Sequence, residues 1–141
     1  MHRVSLVCSL FVFAGCSGNP SAPAGVIVTG TVVRGGAPLT AERLPPGEWP
    51  GEVIFVPLDG GPEESERLGV DGSFREAGLE KGIKAGKYRL AVLHYVSGRG
   101  SDGLNGAFSK ANSPITVEIP ADKSGGTHDL GKIELNDHLP K

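Results

Sequence analysis

The chain has 141 residues, of which 14 are Lys or Arg and 16 are Asp or Glu, giving a formal net charge of −2. This length suits one domain with a hydrophobic core, and a slightly acidic balance without basic clusters excludes nucleic acid as the main partner. The 22 glycines and 11 prolines lie between alternating apolar runs, which favours many short strands joined by tight turns over a disordered chain.

The N-terminus has the order of a secretory signal peptide. Met1 to Arg3 carries positive charge, Val4 to Phe13 is apolar, and small residues follow before Cys16. The apolar run is about half as long as a membrane-spanning helix requires, and no later segment approaches that length. We therefore predict that residues 1–15 are a signal peptide and that the rest of the chain is exported.

Cys16 has a second feature, because Phe13-Ala-Gly-Cys16 resembles the lipobox of bacterial lipoproteins, in which small residues precede a cysteine that is acylated. Leu is usual where this chain has Phe13. Cys8 would leave with the signal peptide, and lipidation would account for Cys16 as the single cysteine of the mature chain. The alternative is cleavage near Ala14 or Gly15 that leaves a free thiol. Lipidation implies attachment to the membrane through acyl chains on Cys16.

The mature chain is predicted to have three parts. Residues 16–25 form a flexible tether of small, polar and proline residues, residues 26–136 form the domain, and residues 137–141 are a tail. Ser17 stands where an aspartate retains lipoproteins at the inner membrane of well-studied double-membrane bacteria, which favours an outer-membrane destination. Localisation in the cell envelope follows from lipidation.

The rest of the chain has the pattern of short strands. Seven segments are predicted strands: 26–34, 52–58, 63–70, 73–75, 86–96, 114–120 and 127–135. The segment at 52–58 is apolar on both faces and should be central, whereas the charges of 63–70 are typical of an edge strand. Asp71-Gly72 predicts a hairpin, and Gly131 indicates a bulge.

Two loops and little helix complete the prediction. The proline-rich stretch 41–51 should be a surface loop, and the glycine-rich stretch 97–113 a long loop with weak order. Helix is expected only as single turns near 41–44 or 79–84. Seven strands with regularly spaced turns predict an all-β, antiparallel Greek-key sandwich.

Five motifs occur in order along the chain: Val28-Thr-Gly30-Thr-Val32, Gly36-Ala-Pro38-Leu39, Val53-Ile-Phe55-Val-Pro57, Val70-Asp-Gly72-Ser-Phe74 and Gly86-Lys-Tyr88-Arg-Leu90. Together they resemble the carboxypeptidase regulatory-like domain, a prealbumin-type or transthyretin-like sandwich, as found in small bacterial envelope lipoproteins. The resemblance covers about residues 26–135.

The resemblance implies a seven-stranded fold and an envelope location, with no catalytic residue among the motifs. It also implies that Gly30 and Pro38 shape turns and that Tyr88 packs inward. The stretch 41–51 is longer than the link usual at this point of the family, so a function specific to this chain is expected there.

No residue pattern indicates catalysis. His94, His128 and His138 lack the His-x-His or His-x₃-His spacing of a metal site, and no Gly-x-Ser-x-Gly elbow is present. Related transthyretin-like hydrolases end in Tyr-Arg-Gly-Ser, whereas this chain ends in a different sequence at residues 137–141. We predict no catalytic residue, no cofactor and no metal ligand.

Calcium is a weaker alternative that the sequence leaves open. Asp71, Asp102, Asn105 and Asp122 are oxygen donors, but they lack the Asp-x-Asp-x-Asp spacing of a calcium loop. Turn-forming acids and amides account for them equally well.

Trp49 and Tyr95 are the candidate ligand contacts, since aromatic rings stack on sugars or insert into partner proteins. In the competing interpretation, Trp49 covers one end of the sandwich. The leading hypothesis is a non-catalytic, lipid-anchored module with a structural or adhesive role toward an envelope protein or polysaccharide. The alternatives are a carbohydrate-binding module that uses exposed aromatics such as Trp49 and, third, an enzyme whose cleft gathers His94 or His128 with an acid.

Overall fold

The computed structural model describes residues 24–40, 44–78, 81–97 and 100–140. The predicted signal peptide, Cys16 and all but the last two tether residues lie outside the described residues, as do parts of the helical turns predicted at 41–44 and 79–84. Two 3₁₀ helices occur elsewhere, at Ala121–Lys123 and Leu135–His138. The strands are β1 (Ile27–Arg34), β2 (Ala37–Pro38), β3 (Gly51–Pro57), β4 (Glu64–Arg67), β5 (Ser73–Glu76), β6 (Gly86–His94), β7 (Thr116–Ile119) and β8 (Thr127–Glu134).

The strands form two sheets, which confirms the all-β prediction. In the first sheet β1 pairs with β2, β5 and β8, and in the second the order is β4-β3-β6-β7. Every pair is antiparallel except β1 with β8, which run parallel. The prediction of purely antiparallel pairing is wrong there, because β7 ends beside Gly86, at the end at which β1 begins, and residues 121–126 cross to the other sheet at that same end. Ile27 N–H donates to the Gly126 carbonyl at that end.

The core lies between the sheets and follows the alternation of the strands. Along β6, Tyr88, Leu90 and Val92 are buried while Lys87 is exposed, as the period of two predicts. Phe55 of β3 stands at the centre, with its ring centroid 6.1 Å from the rings of both Phe74 and Tyr88 in edge-to-face geometry.

The Asp71-Gly72 turn does not make a hairpin, so that prediction is wrong. The strands on either side of the turn lie in different sheets, β4 beside β3 and β5 beside β1. Asp71 accepts hydrogen bonds from the backbone N–H and hydroxyl of Ser73, at 3.0 and 2.6 Å. The Gly72 carbonyl accepts from Val32 N–H at 2.8 Å. The turn therefore carries the chain across the sandwich.

Gly30 lies within β1, opposite Phe74 of β5, and does not shape a turn as the resemblance implied. A Cβ at this position would stand 2.7 Å from Cζ of the Phe74 ring. Glycine is thus needed because the ring packs directly over the backbone. The predicted bulge is confirmed, since the β1–β8 register shifts between Thr29 and Thr31 and Gly131 has a φ of +68°.

Two segments expected to lie outside the core contribute to it. Leu104 and Phe108, in the loop predicted at 97–113, are 6% and 2% exposed. Leu139, in the predicted tail, packs against the same cluster. The loop and the tail thus cover the edge of the sandwich.

Glu76 of β5 is a buried carboxyl, 4% exposed. Its Oε1 accepts from Gly78 N–H at 2.6 Å, and its Oε2 has no hydrogen-bond partner among the described residues. Burial is the largest cause that raises the pKa of this carboxyl, against the opposing effect of the Gly78 N–H, and the nearby carboxylates of Glu66 and Glu64 raise it further.

Glu76→Gln is therefore expected to stabilise the protein above neutral pH by about 1 kcal/mol, the lower end of the cost of a buried polar group without a partner. Because the folded-state pKa lies above the unfolded value of 4.5, the wild type loses stability as pH rises from 4.5 through the folded pKa. The variant lacks this slope. Urea denaturation between pH 4.5 and 8 checks the result, and a stability difference that is constant over that range contradicts it.

Candidate functional site

The chain enters the domain at one end of the sandwich. Gly25 N–H donates to the Lys81 carbonyl at 2.8 Å, and Val26 forms a bridge with Ile83. Strand β6 begins close by at Gly86 and runs to His94, about 26 Å away for nine residues in extended conformation. The other end of the sandwich, called the distal end below, is where β6 pairs with the first residue of β3.

A groove of about 510 Å³ lies at the distal end, on the outer face of the second sheet. We call it the distal groove. It is lined by Trp49, Glu52, Ser65, Glu66, Arg67 and Tyr95. Both aromatic residues chosen from the sequence thus meet in one site, although they are 46 positions apart in the chain. Neither ring is fully exposed, since Trp49 is half-buried and Tyr95 is only 8% exposed.

Trp49 is covered on one face by Arg67 of β4. The guanidinium carbon lies 3.7 Å from the centroid of the indole ring, which is close cation–π stacking. Arg67 stands opposite Glu52 in the β3–β4 ladder, so the strand register carries the guanidinium to the ring.

Tyr95 fixes the other side of the groove. Its hydroxyl donates to Oε2 of Glu52 at 2.8 Å, and its backbone N–H donates to the Pro50 carbonyl at 2.9 Å. The first bond orients the Glu52 carboxylate, and the second holds the chain beside Trp49. Tyr95 therefore acts as a support for the groove.

The loop predicted at 41–51 is attached to the distal end at both of its limits. Before it, the ring Nε2 of His94 lies 2.8 Å from the Thr40 carbonyl and donates to it. After it, Gly51 begins β3, and a Cβ on Gly51 would stand 2.4 Å from the Leu93 carbonyl oxygen. Residues 41–43 of this loop lie outside the described residues.

The groove combines hydrogen-bond donors and acceptors around an aromatic base. Glu52 supplies carboxylate oxygens, Arg67 supplies guanidinium N–H groups, Ser65 supplies a hydroxyl, and Glu66 lines the edge while its side chain shares the face of the buried Val53. Sequence reasoning missed these four residues. Each lies within or beside a strand where polar side chains are ordinary, and only the β3–β4 pairing brings them to Trp49.

The other residues weighed for chemistry are not gathered into a site. His94 is at the distal end, whereas His128 pairs with Val28 close to the chain entry. Within the described ranges, no three side chains of His, Cys, Asp or Glu are grouped so that they could hold a metal ion.

Asp102, considered for calcium, organises its own loop. Its Oδ1 accepts from the N–H groups of His94 and Leu104 at 3.1 and 3.0 Å, and its Oδ2 accepts from Gly106 N–H at 2.8 Å. Both carboxylate oxygens are thus occupied by backbone amides, which is the turn-forming role. Asp71 is used in the same way by Ser73.

The fold and the groove define an all-β, two-sheet domain with a polar, aromatic-based surface site. No protein family, curated protein or solved structure matches the chain. In the part of the chain that the structure describes, no helix has the length and apolarity to cross a membrane.

Proposed function

We propose that this chain is a lipid-anchored, non-catalytic module of the bacterial cell envelope that binds an envelope partner through the distal groove. The observation that carries the proposal is the convergence of Trp49 and Tyr95 in one groove, at the end opposite the chain entry at Gly25. A binding surface in that position faces away from an anchor at Cys16. The role involves no reaction, cofactor or metal.

The geometry suits presentation at a distance from the membrane. A tether from Cys16 to Gly25 spans up to about 33 Å when fully extended, and β6 adds about 26 Å between the chain entry and the distal end. The groove would then stand clear of lipid headgroups, within reach of envelope proteins or polysaccharide. Retention at the outer membrane, favoured by Ser17, is part of the proposal.

The proposed family is the carboxypeptidase regulatory-like domain, with its seven-stranded, prealbumin-like Greek-key topology. Apart from the two-residue β2, seven strands are divided three and four between the sheets. Successive strands cross between sheets at β2 to β3, β4 to β5, β5 to β6 and β7 to β8, which supports a Greek-key arrangement. The inward-facing Tyr88, whose hydroxyl donates to the Lys84 carbonyl at 2.7 Å, agrees with the motif.

Intact-mass spectrometry of the native protein tests the anchor. We expect a chain that starts at Cys16 and carries added acyl mass, recovered in the membrane fraction. Cys16→Ser should abolish both the added mass and the membrane recovery. Cys8→Ser is the matched control, because it changes the other cysteine of the chain and should leave the mature product unaltered. A wild-type protein in the medium with an unmodified thiol contradicts the proposal.

A further inference from the structure

Among the described residues, the Arg67 guanidinium is positioned by an aromatic ring and not by an ion pair. It stacks on Trp49 at 3.7 Å, and within the described residues it takes part in no ion pair, although Glu52 stands opposite in the ladder. Arg67 is exposed to solvent. The stacking on the indole ring therefore limits the orientation of an exposed guanidinium whose N–H groups can donate to a ligand.

The acceptor of the groove is also oriented, and its carboxylate keeps capacity for a ligand. Glu52 receives the Tyr95 hydroxyl on Oε2 at 2.8 Å, whereas Glu66 pairs with the buried Val53 and lies on the face of the sheet that is turned toward Glu76. A carboxylate has about four acceptor sites on its two oxygens, so Glu52 can accept further hydrogen bonds.

The charge arrangement selects against ionic ligands. Glu52 and Arg67 place one negative and one positive charge side by side on the same face, so an anionic ligand is repelled by the carboxylate and a cationic ligand by the guanidinium. A hydroxyl both donates to a carboxylate and accepts from a guanidinium, so it satisfies either neighbour without a net charge. Adjacent hydroxyls on a rigid ring therefore match a groove in which a carboxylate acceptor lies beside a guanidinium donor.

We infer that the distal groove binds a neutral, hydroxyl-rich glycan, with Arg67 as the central donor, Glu52 as the acceptor, and Trp49 as the positioning residue that holds the guanidinium flat. This inference rests on the proposed function, because it names the ligand class of the same groove. The stacked guanidinium loses little rotational freedom on binding, which favours affinity. Ligand contact with Arg67 alters the environment of the only tryptophan, so binding changes its fluorescence.

Calorimetry and tryptophan fluorescence on the full mature protein in detergent test the ligand class. The probes are neutral hexasaccharides (β-1,4-glucose, β-1,4-mannose and α-1,6-glucose), a galacturonate hexasaccharide and a glucosamine hexasaccharide. We expect at least one neutral probe to bind about tenfold or more tightly than both charged probes, a difference typical of one charge-assisted hydrogen bond or one repelled charge. Absence of binding by all three neutral probes, or tighter binding of a charged one, overturns the inference.

Variants then test the roles of the two stacked residues. Arg67→Lys should weaken binding about tenfold or more, since an ammonium lacks the planar donor geometry. The matched control Arg75→Lys, an exposed position on β5 of the other sheet, should change nothing. Trp49→Leu should weaken binding relative to the wild type, and Trp49→Phe should weaken it much less, while the two variants have similar melting temperatures. Equal losses in both, or an unaffected Arg67→Lys, contradict the assigned roles.

The anchor and the ligand class are separable in these measurements. If Cys16 is acylated and no neutral glycan binds, the proposed envelope module stands and the inferred ligand class is wrong. If the protein carries no lipid and a neutral glycan binds, the inferred ligand class stands and the proposed anchor is wrong.

Discussion

Phe55→Ala is expected to lower the free energy of unfolding by about 3–5 kcal/mol, the range for truncating a buried phenylalanine. Phe55 is fully buried, and its ring makes edge-to-face contacts with Phe74 of β5 and Tyr88 of β6. The substitution therefore removes the side chain that joins the two sheets at the centre of the core. The total free energy of unfolding of a domain of this size is about 5–15 kcal/mol, so the variant should be close to the limit of folding.

Chemical denaturation followed by tryptophan fluorescence measures this loss. The control is Leu58→Ala, just after the end of the same strand, where the side chain is 51% exposed. A surface change of this kind should stay within about 0.5 kcal/mol. Similar losses for the two variants would show that the contacts between the sheets do not depend on Phe55.

The alternation of side chains was sufficient to predict most strands. In β6, the small shift between the predicted end at Val96 and the observed end at His94 leaves the buried face unchanged. In β3, the apolar character of both faces correctly indicated a central strand, which pairs with β4 and β6. A period of two is a local property, and so a single sequence contains it.

The division of strands between sheets was not predictable in the same way. Asp71-Gly72 has the local chemistry of a hairpin, yet Gly72 binds to Val32 of β1 in the other sheet. Likewise, nothing near β8 indicates that it pairs in parallel with a strand about a hundred residues earlier. Both outcomes depend on long-range contacts, which compete with local turn preference and here determine the result.

The candidate site likewise contains residues that the sequence predicts and residues that only strand pairing brings together. Trp49 and Tyr95 were recognisable from residue type alone, because a few large aromatics dominate binding surfaces. Glu52 and Arg67 were not, since their importance comes from facing each other across β3 and β4. A reliable pairing of those two strands would have placed Arg67 beside Trp49, which is the contact that gives the groove its character.

Gly82→Ala is expected to cost about 3 kcal/mol or more, which is among the larger effects of single substitutions. Gly82 has a φ of +75°, and a Cβ there would stand 2.5 Å from the Gly25 carbonyl carbon and from the Val26 nitrogen. These are backbone atoms just before β1, where Ile83 N–H donates to the Val26 carbonyl at 2.8 Å. A methyl group would therefore push the chain entry away from the loop that holds it.

Gly60→Ala separates this collision from the cost of the backbone conformation alone. Gly60 has a comparable φ of +84°, but a Cβ there would meet nothing within 4 Å. Gly60→Ala should lower the free energy of unfolding by about 1 kcal/mol, the penalty of a left-handed conformation for an ordinary residue. Thermal unfolding of the two variants gives the difference, and hydrogen exchange at Val26 shows whether the entry is released. Equal melting temperatures would mean that the loop moves aside freely, in which case the position of the chain at Gly25 is not fixed by glycine contacts.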